Sequence, residues 1–192
     1  MARSLEDRLA RARHMLTQVS RAARVQATLR VVRGHYVAEV FSAAAEIDVL
    51  FIGRDRFRSK RTPMKQKVRP VSDVSAGYNP VWLLFEGNEA SVRALEIAND
   101  LAHCEGKKVR IAMRADEAQQ AREMRKQLGA LGCSVSEIHW VNNNALGMLD
   151  FLDLAKREGC SLVVANRPAD QQSADLMTIL LKEADYPVVL VA

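Results

Sequence analysis

Apolar and polar positions follow a regular order from residue 80 to the end of the sequence. Short segments rich in apolar residues alternate with longer stretches in which apolar residues recur at helical spacing. The first of these segments, residues 81–85, is an unbroken apolar run, which is typical of a parallel strand covered on both faces. This alternation predicts a doubly wound α/β domain with a five-stranded parallel sheet and right-handed crossovers. The predicted strands are residues 81–85, 109–113, 135–141, 162–165 and 188–191, and the predicted helices are residues 89–104, 116–131, 145–158 and 173–184.

The first 53 residues carry a shorter series of the same kinds of element. Their apolar surface exceeds what so short a series can cover by itself, and exposing it to water is unfavourable. We therefore expect residues 1–53 to pack against residues 80–192 or against a second subunit. The predicted elements of this part are a helix over 4–23, a strand over 28–32, a helix over 37–45 and a strand over 49–52.

A polar turn follows the first strand of the longer series. Glu86, Gly87 and Asn88 interrupt the apolar run, and Asn88 is a residue type that caps the free amides of a following helix. Glu89 suits the positive first turn of that helix. A polar turn between a parallel strand and a helix amino terminus is where α/β proteins bind anions and nucleotides.

Two stretches of the sequence resemble known parts of one family. Residues 79–102, NPVWLLFEGNEASVRALEIANDLA, resemble the opening of a universal stress protein domain, in which the first strand ends in a turn of the type D-G-S-E-x-S. The stretches VVRGHYVAEVFSAAAEIDVLFIGR and WVNNNALGMLDFLDLAKREGCSLVVANR both resemble the third strand, third helix and fourth strand of such a domain. The resemblance implies the strand order 3-2-1-4-5 and a tandem protein. An incomplete first copy (1–53) and a basic linker (54–79) would precede a complete domain of the adenine nucleotide alpha hydrolase-like fold (80–192).

The resemblance also implies where a nucleotide would bind. Family members that bind nucleotide carry the motif G-x2-G-x9-G-[ST] after the fourth strand, and here no glycine follows Gly159. The first motif glycine falls on Ala165 and the second on Pro168, which lacks an amide hydrogen. The third falls on Thr178 by direct count, or on Ala174 if the loop is shorter.

The resemblance assigns four residues to this implied site, namely Glu86, Gly87, Ala165 and Asn166. The carboxylates of the segment after the fourth strand, such as Asp170, would repel a phosphate. We therefore expect a degenerate nucleotide site and no ATP cofactor. Binding of ATP or another adenine nucleotide by a rebuilt phosphate loop is the alternative.

The net charge of +5 is concentrated in one segment. Residues 54–69 contain eight Lys or Arg and one acid, which gives +7 there and −2 in the rest of the chain. A solvated linker explains this run, and an acidic protein partner is an alternative. Nucleic acid is disfavoured as a partner, because Phe57 is the only aromatic residue among these charges that could stack on a base.

Other candidate chemistry is sparse. Three distant cysteines, Cys104, Cys133 and Cys160, predict neither a disulfide framework nor a CxxC pair, and each suits a small buried position near the end of a helix or the start of a strand. His35, His103 and His139 lack metal-ligand spacing, so no metal is expected. No catalytic motif is present, and we expect a protein that is not an enzyme.

The expected function is therefore that of a universal stress protein-like module that acts through protein contacts in a stress response. The resemblance implies a homodimer that pairs along the last strand, residues 186–192. No apolar run approaches the roughly 20 residues of a membrane span, and no secretory h-region is evident near the first residues. Cytoplasmic localisation is expected.

Overall fold

The computed structural model describes residues 35–53, 79–132 and 138–192, together with seven residues between Ala10 and Arg24. The chain forms two units, Met1–Glu39 and Val40–Ala192. In the first unit, the described residues from Ala10 to Arg21 are helical, and Thr17 Oγ1 donates a hydrogen bond of 2.9 Å to the carbonyl of Arg13. The predicted strand 28–32 and the basic segment 54–69 lie outside the described residues.

The second unit contains six described strands and four complete helices, with a fifth helix, α1, crossing the boundary between the units. The strands are β1 (Val49–Ile52), β2 (Val81–Phe85), β3 (Val109–Ala115), β4 (Ile138–Asn142), β5 (Leu162–Asn166) and β6 (Val188–Val191), and the helices are α1 (Tyr36–Glu46), α2 (Glu89–Cys104), α3 (Ala118–Ala130), α4 (Ala145–Arg157) and α5 (Gln171–Glu183).

The six strands form one sheet in the order β1-β6-β5-β2-β3-β4. Strands β2 to β6 pair in parallel, and their spatial order is the predicted 3-2-1-4-5 when they are counted from β2. The predicted doubly wound parallel domain is confirmed. The sheet also has a sixth, antiparallel strand that was not predicted to join it.

Strand β2 lies at the centre and is buried on both faces, as its unbroken apolar run predicts. On one face α2 contributes Ala94 and Ala98, whose small side chains let the helix approach the sheet closely. On the other face the ring of Trp82 packs edge-on against Phe151 of α4, with ring centroids 5.6 Å apart. The carboxyl end of β2 is therefore held between two packed layers.

Strand β1 covers the outer edge of β6. The two strands run antiparallel from Val49 opposite Val191 to Ile52 opposite Val188. For residues 49–52 the expected packing against the 80–192 domain is confirmed. An apolar terminal strand such as β6 would otherwise present unpaired amide and carbonyl groups, which explains why the sheet gains a sixth strand.

The amino terminus of α4 requires a glycine. The Asn144 side chain accepts a 2.8 Å hydrogen bond from the amide of Gly147, and a Cβ on Gly147 would lie 2.1 Å from the Asn142 carbonyl oxygen. We expect Gly147→Ala to destabilise the fold by about 2 kcal/mol, because backbone has to move to relieve the overlap. Gly129→Ala in α3 is the matched control: nothing lies within 4 Å of its Cβ position, and it should stabilise by up to about 1 kcal/mol. Urea unfolding measures both, and a stabilised Gly147→Ala would contradict the close approach.

Candidate functional site

The strand order creates a crevice at the carboxyl ends of β2 and β5. From β2 the chain proceeds to β3 and β4 on one side of the sheet, and then returns to β5 and β6 on the other. A reversal of this kind is where doubly wound proteins bind ligands. Glu86 directly follows β2 and Asn166 ends β5, so the crevice brings these two predicted site residues together.

Asn166 is the buried centre of the crevice, with 3% of its surface exposed. Its amide nitrogen Nδ2 lies 2.7 Å from Ser91 Oγ, 3.2 Å from Asn88 Oδ1 and 3.3 Å from Glu86 Oε2. Among the described residues its Oδ1 has no hydrogen-bond partner. The nitrogen of this amide is therefore fully engaged, and its oxygen offers a hydrogen-bond acceptor.

The start of α2 is capped by its own side chains. Asn88 Oδ1 accepts hydrogen bonds from the Ser91 amide and the Ser91 hydroxyl, both at 2.8 Å. The Ser91 hydroxyl oxygen in turn accepts from the Glu86 amide at 3.0 Å. These contacts satisfy amides near the helix start that an anion would otherwise meet.

A buried arginine pairs with Glu86. Arg114 of β3 is 5% exposed, and its Nη1 lies 2.6 Å from Glu86 Oε1. Its Nε and Nη2 donate hydrogen bonds of 3.1 and 2.8 Å to Asn143 Oδ1, and Asn143 Nδ2 donates to Asp116 Oδ2 at 3.0 Å. The guanidinium is thus held from two sides, as a buried charge must be.

Arg114 and Asn143 belong to this site, although neither was predicted as a member of it. A signal was present in the topology, because the parallel register sets Phe85 opposite Met113. One step further along both strands, the acid after β2 faces the base near the end of β3. An acid and a base at matching positions of two adjacent parallel strands predict an ion pair.

The other two predicted site residues have different roles. Gly87 adopts a φ of +78°, and a Cβ there would lie 2.9 Å from Met124 Cγ, so glycine shapes the turn beneath the crevice. Ala165 is 1% exposed and lies within β5, where it pairs with Leu190. Its side chain is buried in the sheet.

The segment that would hold phosphate is short. Only residues 167–170 separate the end of β5 from the start of α5. Both candidate positions for the third motif glycine lie inside α5, where the Thr178 hydroxyl donates a 2.8 Å hydrogen bond to the Ala174 carbonyl. The amide of Arg167 donates to the Val191 carbonyl at 2.7 Å. The nine residues that separate the second and third glycines of the motif do not fit in a connection of four residues.

A carboxylate occupies the amino terminus of α5. Asp170 Oδ1 accepts a 2.7 Å hydrogen bond from the Ser173 amide, and this bond holds the pKa of Asp170 below its ordinary value. Asp170 is therefore ionised at neutral pH, at the position where a phosphate would approach the helix amides. Its stabilising contribution is present above its ordinary titration range and is lost as the pH falls.

The cysteines partly differ from their expected placement. Cys104, at the last turn of α2, is exposed, so the prediction of a buried position is wrong there; the end of this helix faces solvent. Cys160 is half-buried, and burial raises the pKa of its thiol to about 12, which keeps the thiol protonated. Cys133 lies outside the described residues. Within the described ranges, no three His, Cys, Asp or Glu side chains converge as metal ligands, and no helix is long and apolar enough to cross a membrane.

Comparison with known proteins identifies the fold. No protein-family model and no curated protein matches this sequence, whereas solved structures do. A functionally unknown protein from Pseudomonas aeruginosa PAO1 superposes with a TM-score of 0.58 at 11% identity, over 95% of this chain and 77% of its own. A universal stress protein from Archaeoglobus fulgidus DSM 4304 superposes with a TM-score of 0.52 at 14% identity, over 100% of this chain and 79% of its own.

A third match, described as a candidate universal stress protein from Pseudomonas aeruginosa UCBPP-PA14, is 12% identical over 59% of this chain, with a TM-score of 0.49. The match spans 47% of that protein, about half its length. Taken with the strand order, the superposition on the Archaeoglobus protein shows that this chain has the universal stress protein fold. The resemblance drawn from the sequence is confirmed at the level of the fold, and the tandem arrangement stays a prediction.

Proposed function

We propose that this chain is a universal stress protein-like module that acts through protein contacts and does not bind ATP by the usual glycine motif. The observation that carries the proposal is the Glu86–Arg114 ion pair in the crevice between β2, β3 and β5. A nucleotide phosphate there would have to compete with Glu86 for the buried guanidinium. It would also approach the negative Asp170 at the start of α5.

A non-enzymatic role fits the same geometry. Apart from Asn166 Oδ1, the polar groups described in the crevice are engaged with one another: Ser91 Oγ contacts three groups, and Arg114 contacts Glu86 and Asn143. A general base or nucleophile needs a lone pair that is free to meet a substrate. We propose cytoplasmic localisation and a role in a stress response. Homodimer formation along the last strand belongs to the same proposal, and it requires that β1 leave the outer edge of β6, which β1 covers in this structure.

Adenine-nucleotide binding through a rebuilt loop is the second candidate. One observation favours it, namely that Asn166 Oδ1 is buried without a hydrogen-bond partner among the described residues. An amide oxygen in this position can accept from a ligand hydroxyl or amine. Two universal stress protein structures were solved with dAMP and with cAMP, but they superpose on this chain with TM-scores of only 0.47 and 0.43, so the candidate rests on Asn166.

Thermal unfolding with nucleotides separates the two candidates. A site with a Kd near 1 micromolar would stabilise the fold by about 4 kcal/mol at millimolar ligand. We expect no shift in Tm with ATP, ADP, AMP or cAMP at millimolar concentration, because the crevice contacts are made within the chain. A micromolar affinity by calorimetry that is lost in Glu86→Gln would overturn this proposal and support the second candidate.

A further inference from the structure

The outer face of α4 carries two exposed leucines. Leu146 is 72% exposed and Leu149 is 42% exposed. Residues three apart on a helix lie on the same face, so these two side chains are neighbours. Single exposed apolar residues are ordinary on a protein surface, but Leu146 has the largest exposed fraction of the large apolar side chains that the structure describes. Together the two leucines form an apolar patch to which a partner can add contacts.

The packing of α4 keeps these leucines outside. On its inner face Met148 and Phe151 are each 1% exposed, and the Phe151 ring lies against Trp82. A Cβ on Gly147 would overlap the backbone of β4, so the start of the helix is also fixed against the sheet. The helix cannot turn to bury Leu146 without breaking these contacts. The patch is therefore a fixed feature of the folded surface.

Two aspartates lie on the same outer face of α4. Asp150 and Asp153 are exposed and line a surface depression of about 470 Å³ together with Lys156 and Arg157. Among the described residues, neither aspartate side chain has an ion pair or a hydrogen bond, whereas Lys156 Nζ lies 3.3 Å from Asp185 Oδ2. The aspartate pair follows the leucine pair by about four residues, or roughly 6 Å along the helix axis. Apolar contact and unpaired negative charge are thus offered side by side.

The charge of this face favours a basic partner. Asp150, Asp153 and Arg157 are its charged groups without an ion pair in the part of the chain that the structure describes, and together they carry −1. Arg157 is the last residue of α4, away from the leucines. The whole chain carries +5, so the rest of the protein does not attract a cation to this face. A helix with apolar residues on one stripe and Lys or Arg beside it matches both parts of the face.

We propose that the outer face of α4, formed by Leu146, Leu149, Asp150 and Asp153, is a docking site for a basic amphipathic helix of a partner protein. The partner's apolar side chains pack on the two leucines, and its Lys or Arg side chains pair with the two aspartates. Rows of residues three and four apart are what two packed helices present to each other. This inference rests on the proposed function, in which the protein acts through protein contacts, and it names the surface and the chemistry of the partner.

Fluorescence anisotropy on the full chain, without nucleotide, tests the inference. The probe is a labelled amphipathic peptide of leucine and lysine of about 18 residues, long enough to form a helix. The same peptide with glutamate in place of each lysine is the control for charge. We expect saturable binding of the lysine peptide that weakens as salt rises from about 50 to 300 millimolar, and no binding of the glutamate peptide. If the lysine peptide does not bind the unmodified protein, the inference is overturned.

A matched pair of leucine variants locates the apolar contact. Leu149→Ser should weaken binding of the lysine peptide by about fivefold, because an apolar contact is lost. Leu131→Ser is the control, since Leu131 is 45% exposed but lies at the end of α3. It should bind as the unmodified protein does. Equal losses in both variants would show binding elsewhere on the surface.

A matched pair of acid variants locates the charged contact. Asp150→Asn with Asp153→Asn should weaken binding by about threefold to tenfold at low salt and remove most of the salt dependence. Glu96→Gln with Asp100→Asn removes two exposed acids of α2 and should change neither. An unchanged affinity in the α4 variant would overturn the inference.

Light scattering distinguishes a separate partner from a second copy. The unmodified protein and Leu149→Ser should have equal masses. A change from dimer to monomer in Leu149→Ser would show that a second copy covers the face, and would overturn the inference. Since these measurements contain no nucleotide, their outcomes are distinguishable from a failure of the nucleotide prediction.

Discussion

Replacing Arg114 by alanine is expected to lower the free energy of unfolding by about 3 kcal/mol, near the lower end of the range for breaking a buried ion pair. The substitution leaves Glu86 in the crevice without its cation, and leaves Asn143 Oδ1 without the two donors it accepts from. The Glu86 side chain is 21% exposed, so water relieves part of the cost.

Arg93→Ala is the matched control for this prediction. Arg93 also pairs with a glutamate, Glu89, but its side chain is 62% exposed and that of Glu89 is 87% exposed. Exposed pairs of this type contribute about 0.5 kcal/mol or less. Urea unfolding at pH 7 compares the two variants, and equal losses would contradict the burial of the Arg114 network.

A compensated variant distinguishes a lost pair from lost packing. Arg114→Met keeps much of the apolar volume, and Glu86→Gln removes the opposing charge while keeping an oxygen that can accept from Asn166. The combined variant should recover most of the loss of Arg114→Met, because no buried charge is left uncompensated. If the stability losses of Arg114→Met and Glu86→Gln simply added in the combined variant, Arg114 and Glu86 would not be coupled in the folded state.

The parallel sheet could be predicted from the sequence because β2 and β6 are unbroken apolar runs and β3, β4 and β5 are mostly apolar. The end of β3 shows where this reasoning fails. The prediction ended that strand at Met113, whereas β3 extends to Ala115. A charged residue interrupts the apolar pattern at position 114, but pairing with Glu86 allows Arg114 to be buried. The same residue was therefore missed both as part of a strand and as part of the site.

Strand β1 shows a different limit. Its four residues were predicted as a strand, because local apolar and β-branched content is enough for that. Its partner, β6, could not be predicted, because nothing local to Val49–Ile52 encodes which edge it joins. Pairing between distant segments depends on which edges the rest of the fold leaves open, and this is known only when the whole sheet is assembled.

Two residues of the crevice were predicted from the sequence. Glu86 and Asn166 follow from their places at the ends of neighbouring parallel strands, and the structure brings them together. Their interaction through the Ser91 hydroxyl could not be predicted, since it depends on the rotation of α2 about its axis. Helical spacing fixes which residues share a face, but it does not fix which side chain reaches a neighbouring strand.

Asn166→Asp is expected to lower the free energy of unfolding by about as much as Arg114→Ala does. Unlike that loss, the loss in Asn166→Asp should depend on pH. The change replaces the Nδ2 donor with an oxygen facing Glu86 Oε2, Asn88 Oδ1 and Ser91 Oγ. Burial and the nearby Glu86 both favour the neutral form of the introduced carboxyl, so its pKa in the folded state should lie above the unfolded value. The variant should be near its most stable relative to the parent at about pH 4. Its relative stability should fall as the pH rises, with a loss of about 3 kcal/mol by pH 7.

Asn88→Asp is the matched control, and we expect the opposite result from it. Asn88 Oδ1 lies 3.2 Å from Asn166 Nδ2. Asn88 is the exposed N-cap of α2, and its Oδ1 already accepts from the Ser91 amide. Aspartate is an equally good cap, and a negative charge suits the helix amino terminus, so the change should be neutral or stabilising by a few tenths of a kcal/mol. Unfolding curves between pH 4 and pH 8 compare the two variants. If Asn166→Asp lost no more stability with rising pH than Asn88→Asp, the side chain of Asn166 would not be the buried donor at the centre of this crevice.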